Sequence, residues 1–237
     1  MPGQPLIEVV NLRFRYEDGT VALDGVDFRL FASETVALFG PNGSGKTTFA
    51  LHLNGLLRGE GEVRVCGLRV EKRNLPAIRR KVGLLFQDPD EQLFMPSVVE
   101  DVAFGVLSAG IRPEEAVRRA RRILAEVGME HACERAPYHL SAGEKRRVAL
   151  AGVLVMEPEV LVLDEPTTYL DPPGQRDLVA LLGRLPQAKV IATHDTHLAR
   201  ALASRAVFFE HGRIVAEGAV EELIERFGWD ACAGPGR

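Results

Sequence analysis

An α/β fold built on a parallel core sheet is what this sequence predicts, and three observations predict it. Short apolar runs at residues 36–39, 82–86, 160–163 and 189–193 have the length and composition of strands buried on both faces. Helical patterns at residues 47–57, 114–127, 144–156 and 173–185 separate them, the alternation that crossover connections require. At the first strand-to-helix junction stands a glycine-rich run, Gly40-Pro41-Asn42-Gly43-Ser44-Gly45-Lys46-Thr47.

Taken in chain order, residues 7–16 and 26–31 alternate around the turn signal Glu17-Asp18-Gly19 and read as an N-terminal antiparallel β subdomain. Residues 88–157 are almost wholly helical in pattern, which makes them a helical subdomain inserted into the sheet. Residues 206–210 and 213–217 flank His211-Gly212 as a hairpin. The expected organisation is therefore one domain. Its α/β core spans 1–87 and 158–227, its helical insertion 88–157 and its tail 228–237, and the stretch after Glu225, with Gly234-Pro235-Gly236, is expected to fray. No internal repeat or low-complexity segment interrupts it.

Composition narrows the function classes. With 237 residues, 46% hydrophobic and 26% charged, the chain can bury a full core. A formal charge of −4 supplies no global attraction for nucleic acid, and no nucleic-acid partner is expected. Arg118, Arg119, Arg121 and Arg122 form a basic cluster, yet Glu114 and Glu115 stand four residues before Arg118 and Arg119, as on a salt-bridged solvated helix. Cys66, Cys133 and Cys232 are far apart and form no paired motif, which disfavours disulfides and zinc and fits a reducing compartment. His131, Cys133 and His139 match no standard metal spacing. No apolar run approaches the ~18 residues that cross a bilayer. The N-terminus, Met1-Pro2-Gly3-Gln4-Pro5, lacks a charged and then apolar leader pattern. A soluble chain of the cytoplasm is the expectation.

The run from Gly40 to Thr47 matches G-x-x-x-x-G-K-[ST] after a strand and before a helix, the context this phosphate loop requires. Its glycines, Gly40, Gly43 and Gly45, and the intervening Asn42 let backbone amides curl around a β-phosphate. Lys46 supplies a point charge to β and γ oxygens, Thr47 a hydroxyl to magnesium, and Thr48 an α-phosphate contact. ATP and Mg2+ are the expected ligands of a P-loop NTPase of this kind. A buried strand at 160–163 ends in Asp164-Glu165, and ligands of open α/β sheets sit beyond such strand ends. Asp164 is placed to hold a magnesium-bound water and Glu165 to polarise the water that attacks the γ-phosphate. Gln87 and His194 each follow another strand end, so four strand ends deliver chemistry to one edge.

Leu140-Ser141-Ala142-Gly143-Glu144 carries two compatible readings. Ser141 and Glu144 form a capping box, and the helix start they cap presents free amides and a positive dipole end to any phosphate nearby. The order of phosphate loop, Gln87, residues 140–144, Asp164-Glu165, Asp171 and His194 resembles the nucleotide-binding subunit of ATP-binding-cassette transporters over nearly the whole chain. The resemblance implies that Gln87 contacts magnesium or the attacking water and senses a membrane partner. It also implies that His194 bonds the γ-phosphate and orients Glu165, and that two protomers, identical or paralogous, pair head to tail. Ser141 and Gly143 would then reach the γ-phosphate held by the other protomer's Lys46, and Tyr16 would stack on adenine. An ordinary strand aromatic is the competing reading of Tyr16.

A narrower likeness lies in Phe86-Gln87-Asp88-Pro89-Asp90-Glu91-Gln92-Leu93-Phe94 and in the run from Val99 to Gly105. With His52-Leu53-Asn54-Gly55-Leu56-Leu57 and the run from Gly143 to Ala149, it is similar to the ATPase of energy-coupling-factor importers of vitamins and transition-metal ions such as cobalt and nickel. That likeness implies a short helix at residues 90–94 lining a groove between Gln87 and Phe94 for a transmembrane coupling subunit. It also implies a separate substrate-binding membrane subunit and a peripheral place on the cytoplasmic face of the cell membrane. Leu93, Phe94 and Met95 suit a partner helix, and Asp88, Asp90 and Glu91 could meet arginines on it. Anchoring of the loop to the helical subdomain is the alternative for Leu93 and Phe94.

Two positions depart from the family pattern. Ala142 stands where glycine is usual, and would cost on the order of 1 kcal/mol if that position needs a positive φ. Tyr169 stands where a small residue is frequent, near the expected dimer seam. From other classes, a soluble cassette ATPase of DNA repair or translation would carry coiled-coil insertions or tandem cassettes, and neither is visible. A purely regulatory nucleotide-binding module would leave the carboxylates idle.

Overall fold

The computed structural model describes residues 3–230. Two sheets build it. Strands β1 (Ile7–Arg15) and β2 (Val21–Leu30) pair antiparallel, with Ile7 opposite Leu30 and Val9 opposite Phe28. After β3 (Thr35–Phe39) and helix α1 (Lys46–Leu53), β4 (Glu60–Val65) and β5 (Leu68–Arg69) extend that first sheet to the order β2-β1-β4-β5. Helix α2 (Leu75–Lys81) then leads into β6 (Val82–Leu85) of the second sheet.

Residues 88–157 carry α3 (Val98–Ser108), α4 (Pro113–Glu126) and α5 (Ala142–Leu154) and no strand. The chain returns as β7 (Val160–Asp164), α6 (Pro172–Arg184), β8 (Ala188–Ala192) and α7 (Thr196–Leu202). It closes with the hairpin β9 (Arg205–Glu210) and β10 (Arg213–Gly218) and helix α8 (Val220–Phe227). The second sheet has the order β10-β9-β3-β8-β7-β6, parallel throughout except for β10.

Strand periodicity decides which core each residue joins. Along β7, Val160 and Val162 face the apolar layer shared with the antiparallel sheet, while Leu161 and Leu163 face the helices. On the first side α1 lies between the two sheets, with Phe49 and Leu53 fully buried among Leu12, Val26, Leu38 and Val190. On the second side Leu85, Leu161, Leu163 and Ile191 join Val102, Leu124 and Leu150 of α3, α4 and α5 in one cluster. The helical stretch therefore shares its apolar core with a face of the sheet instead of enclosing a core of its own.

The sequence reading differs from this architecture in a few places. β4, β5 and α2 carry only short local signals: β4 buries just Val63 and Val65, β5 is two residues long, and α2 buries Ile78 alone. The chain remains ordered past Glu225: α8 continues to Phe227, whose ring stacks on Phe208 at 3.7 Å, and Trp229 meets Phe208 edge-on at 5.2 Å. Cys232 and Gly234-Pro235-Gly236 lie outside the described residues.

Phe49 is the aromatic hinge of the intersheet layer, touching Phe28 at 5.3 Å and Phe209 at 5.4 Å between ring centres. Truncating it to alanine opens a cavity where neither sheet can collapse, at a cost of about 3–5 kcal/mol. For a chain of this size the midpoint of thermal unfolding of Phe49→Ala should fall by roughly 6–20 °C, measured by calorimetry. An unchanged midpoint would show that the two sheets do not depend on this contact.

Candidate functional site

The phosphate loop leaves β3 and turns back into α1 through two positions that admit no side chain. Gly40 has φ +136°, and a Cβ there would lie 2.2 Å from the Phe209 carbonyl oxygen; Gly45 has φ +109°, and a Cβ would lie 2.5 Å from that of Ala22. Gly45 is also the N-cap of α1 and offers no side-chain cap, so the first amides of the helix are left for an anion. The Lys46 ammonium lies 2.6 Å from the Gly40 carbonyl and 3.0 Å from that of Pro41, and donates to both. Burial pushes its pKa below the usual lysine value, opposed by the charges of Glu165 and Asp164.

Opposite the loop, β7 ends at Asp164. Burial raises the pKa of this carboxyl, while a hydrogen bond with the Thr47 side chain works the other way. Glu165 adopts a left-handed backbone, φ +43°, a strained conformation for a residue with a Cβ. Its amide donates to the Ala192 carbonyl at 2.8 Å, and its Oε1 lies 2.9 Å from His194 Nδ1. Oε2 accepts from the Thr193 hydroxyl and the His194 amide, both at 3.4 Å. The carboxylate is buried and the imidazole is largely exposed, so the pair runs from the sheet edge outward.

A cleft of about 320 Å³ collects Tyr16, Asn42, Gly43, Gly45, Lys46, Thr47, Thr48, Gln87, Asp164, Glu165 and His194. The Tyr16 hydroxyl is 2.9 Å from Thr48 Oγ1, and its ring sits edge-on to Phe14 at 5.0 Å, 40% exposed at the rim. Thr48, read from the sequence as an α-phosphate contact, is thus also the tether of Tyr16. Ser141, Gly143 and Glu144 are not brought to this cleft. They line a separate cavity of about 230 Å³ at the start of α5.

There the capping box is complete: the Glu144 amide donates to Ser141 Oγ at 3.3 Å, and the Ser141 amide to Glu144 Oε2 at 2.8 Å. That second bond leads the causes that hold the Glu144 carboxyl below its usual pKa, with His131 and Arg135 also contributing. Ala142 is the first residue of α5 and is not among the positive-φ residues, so the cost anticipated for alanine does not arise. The strain lies at Tyr169 instead, with φ +66° and a side chain 74% exposed.

Residues 23–168 match the family model for the ABC transporter. This chain belongs to the ABC transporter ATPase family. It is 52% identical to a putative ABC transporter ATP-binding protein of Streptomyces avermitilis, over 93% of this chain and 84% of that one. It is 45% identical to the energy-coupling factor transporter ATP-binding protein EcfA of Methanocaldococcus jannaschii, over 92% and 81%. Its fold superposes on cbiO1 from Clostridium perfringens, part of the ABC transporter complex cbiONQ, with a TM-score of 0.83 at 35% identity, covering 95% and 92% of the two chains. This ABC protein is accordingly an ATPase with the P-loop α/β fold.

Magnesium fits the donors of this ABC ATPase. Thr47, Asp164 and Gln87 bring a hydroxyl, a carboxylate and an amide oxygen to one cleft, all hard oxygen donors. Among the described residues no group of three or more His, Cys, Asp or Glu could hold a metal. A cation here would take only a minority of its ligands from the protein, as magnesium does beside phosphates.

Around Gln87 the expected helix at residues 90–94 is replaced by a 3-10 turn at Pro89–Glu91, which the Asp88 carboxylate caps by accepting from the Asp90 amide. Pro89 starts the turn, and Gln92 already lies outside it. Leu93 packs against the helical core, whereas Phe94 is 64% exposed and meets Phe104 edge-on at 5.0 Å. Asp90 pairs with Lys145 at 2.6 Å within the chain. Arg119 pairs with Glu115 at 2.8 Å, and Arg118 with the same carboxylate, as on the solvated helix expected there. The sequence reading gave no role to Arg146, a residue inside a quoted motif that the fold buries almost completely. Its only signal is its place in the basic run Lys145-Arg146-Arg147 directly after the capping box.

The raised pKa of Asp164 sets a stability trend. A carboxyl whose folded pKa exceeds its unfolded value destabilises the fold as pH rises from the unfolded value through the folded one. Asp164→Asn removes that penalty and keeps an acceptor for Thr47. Without nucleotide, its thermal midpoint at pH 7 should exceed that of the parent, with the gap closing towards pH 4. A lower midpoint at pH 7 would mean that the attraction to Lys46 outweighs burial.

Proposed function

We propose that this ATPase powers an energy-coupling-factor type importer of a transition-metal ion or vitamin, working as a head-to-tail dimer on the cytoplasmic face of the cell membrane. One observation carries the chemical part of this reading: a buried Glu165 carboxylate, oriented by His194, faces the same cleft as Lys46 and the uncapped start of α1. The α1 amides and Lys46 would bind the β- and γ-phosphates, where fixed donors need no reorganisation as charge builds. Glu165 would accept the proton of the attacking water, and His194 would hold that carboxylate in place and reach towards the γ-phosphate. Gln87 would orient the same water, and Thr47, Gln87 and Asp164 would hold magnesium. Bound there, magnesium neutralises charge on the phosphate oxygens.

The position of the α5 start supports the dimer. Ser141 and Gly143 stand at the N-terminus of α5 in a cavity apart from their own Lys46, so they would complete the site of a second protomer, identical or paralogous. ATP would then join the protomers and hydrolysis release them. The likeness to EcfA and to cbiO1, part of a cbiONQ complex, supports the importer class. The exposed Phe94, in the loop after Gln87, and Phe104 of α3, which it meets, suit a coupling helix of a transmembrane subunit, and cargo selection would rest with a separate membrane subunit.

Glu165→Gln keeps the shape of the side chain and loses the base. Turnover should fall by ~10²–10⁴-fold, while nucleotide still binds and ATP holds the variant as a dimer in sedimentation. Turnover at the parental rate would remove Glu165 as the base. The importer class is tested by recovering the tagged chain from native membranes. Integral membrane subunits should accompany it, and recovery with only soluble or ribosomal partners would defeat the reading.

A further inference from the structure

Arg146 is 1% exposed and is the largest of the fully buried side chains. Its guanidinium donates to three backbone carbonyls, Nη1 to Phe86 at 2.7 Å and Nη2 to Gln87 at 2.6 Å and Thr168 at 3.4 Å, and it also feels the charges of Asp88 and Asp164. Nε has no partner, and burial lowers the pKa of the group. A buried charge bound to neutral acceptors adds little net stability, because the desolvation cost offsets the bonds made. What the planar fork does supply is geometry, since it fixes several acceptors in one plane.

Arg146 and its acceptors together join three segments that carry the site. Phe86 and Gln87 begin the loop after β6, Arg146 lies in the first turns of α5, and Thr168 follows Glu165, to whose carbonyl its amide donates at 3.2 Å. The loop is tied to α5 twice more, through the Lys145–Asp90 ion pair at 2.6 Å and through Gln92, whose Nε2 donates to the Ala149 carbonyl at 2.9 Å. We propose that Arg146 is a positioning residue which fastens the Gln87 loop to α5 and to the segment behind Glu165, so that displacement of the loop moves the start of α5 with it. A partner pressing on residues 88–94 would thereby shift Ser141 and Gln87 together.

The proposal rests on Gln87 taking part in the reaction, and steady-state ATPase assays of the full chain with Mg2+ separate the two claims. Arg146→Met should lower kcat by ~10-fold while the KM for ATP stays within ~2-fold. Arg146→Gln, which keeps N–H donors, should recover part of that loss and serves as the comparison if the methionine variant does not fold. On a Gln87→Ala background, Arg146→Met should add less than ~2-fold, because the two act through one group. Leu150→Ala, a core truncation in the same helix, should lower the thermal midpoint and leave kcat unchanged below it. A parental kcat in Arg146→Met beside a slowed Gln87→Ala overturns this proposal alone. Multiplicative losses in the double variant, or an equal kcat loss in Leu150→Ala, overturn it as well. A parental kcat in Gln87→Ala overturns both the reading of Gln87 and the route drawn through it.

Discussion

The site depends on a backbone ladder that continues one residue beyond its strands. The Thr193 amide donates to the Leu38 carbonyl at 3.2 Å, and the Glu165 amide to that of Ala192 at 2.8 Å. These two bonds set the ends of β3, β8 and β7 level with one another, so the phosphate loop, His194 and the acid pair leave the sheet at one height. Parallel pairing makes this possible, because it points every carboxyl end to the same edge. Glu165 then turns into a left-handed conformation that the ladder and three side-chain contacts hold in place.

Charge is arranged with similar economy. Lys46 and Asp164 are both buried near one another, each shifted towards its neutral form by burial and towards its charged form by the other. Such a pair is poorly solvated and preorganised, so a polyphosphate and its cation find fixed partners. The helix starts contribute in two different ways. α1 begins at a glycine and leaves its amides free, whereas α5 begins at a capping box that uses the Ser141 and Glu144 groups within the chain. The first therefore acts inside its own cleft, and the second presents its dipole end elsewhere.

Much of this was legible in the residues. Apolar runs ending in Asp164-Glu165, Gln87 and His194 have a period and a terminus that do not depend on distant contacts, and the glycines at 40 and 45 answer steric demands that only glycine meets. Less visible were elements whose residues are half-exposed, such as β4 and α2, since they are held by pairing and packing with remote strands and carry no strong pattern of their own. The helix at residues 90–94 that the family likeness implies is instead a turn at Pro89–Glu91, because Pro89 and the Asp88 cap start it earlier and Gln92 ends it.

By itself the sequence determined the fold class, the phosphate loop, the acid pair and the capping box, because each is set by local sterics, hydrogen bonding or periodicity. Only the tertiary structure decided that Ser141 and Gly143 stand apart from Lys46, that Tyr16 is tethered to Thr48, and that strain falls on Tyr169 and not on Ala142. It also decided the fate of Arg146. In the sequence Arg146 is one basic residue among several, and its burial against three carbonyls arises only when β6, α5 and the segment after β7 meet. Contacts between segments distant in the chain leave no local pattern, which is the physical reason they had to be seen in space.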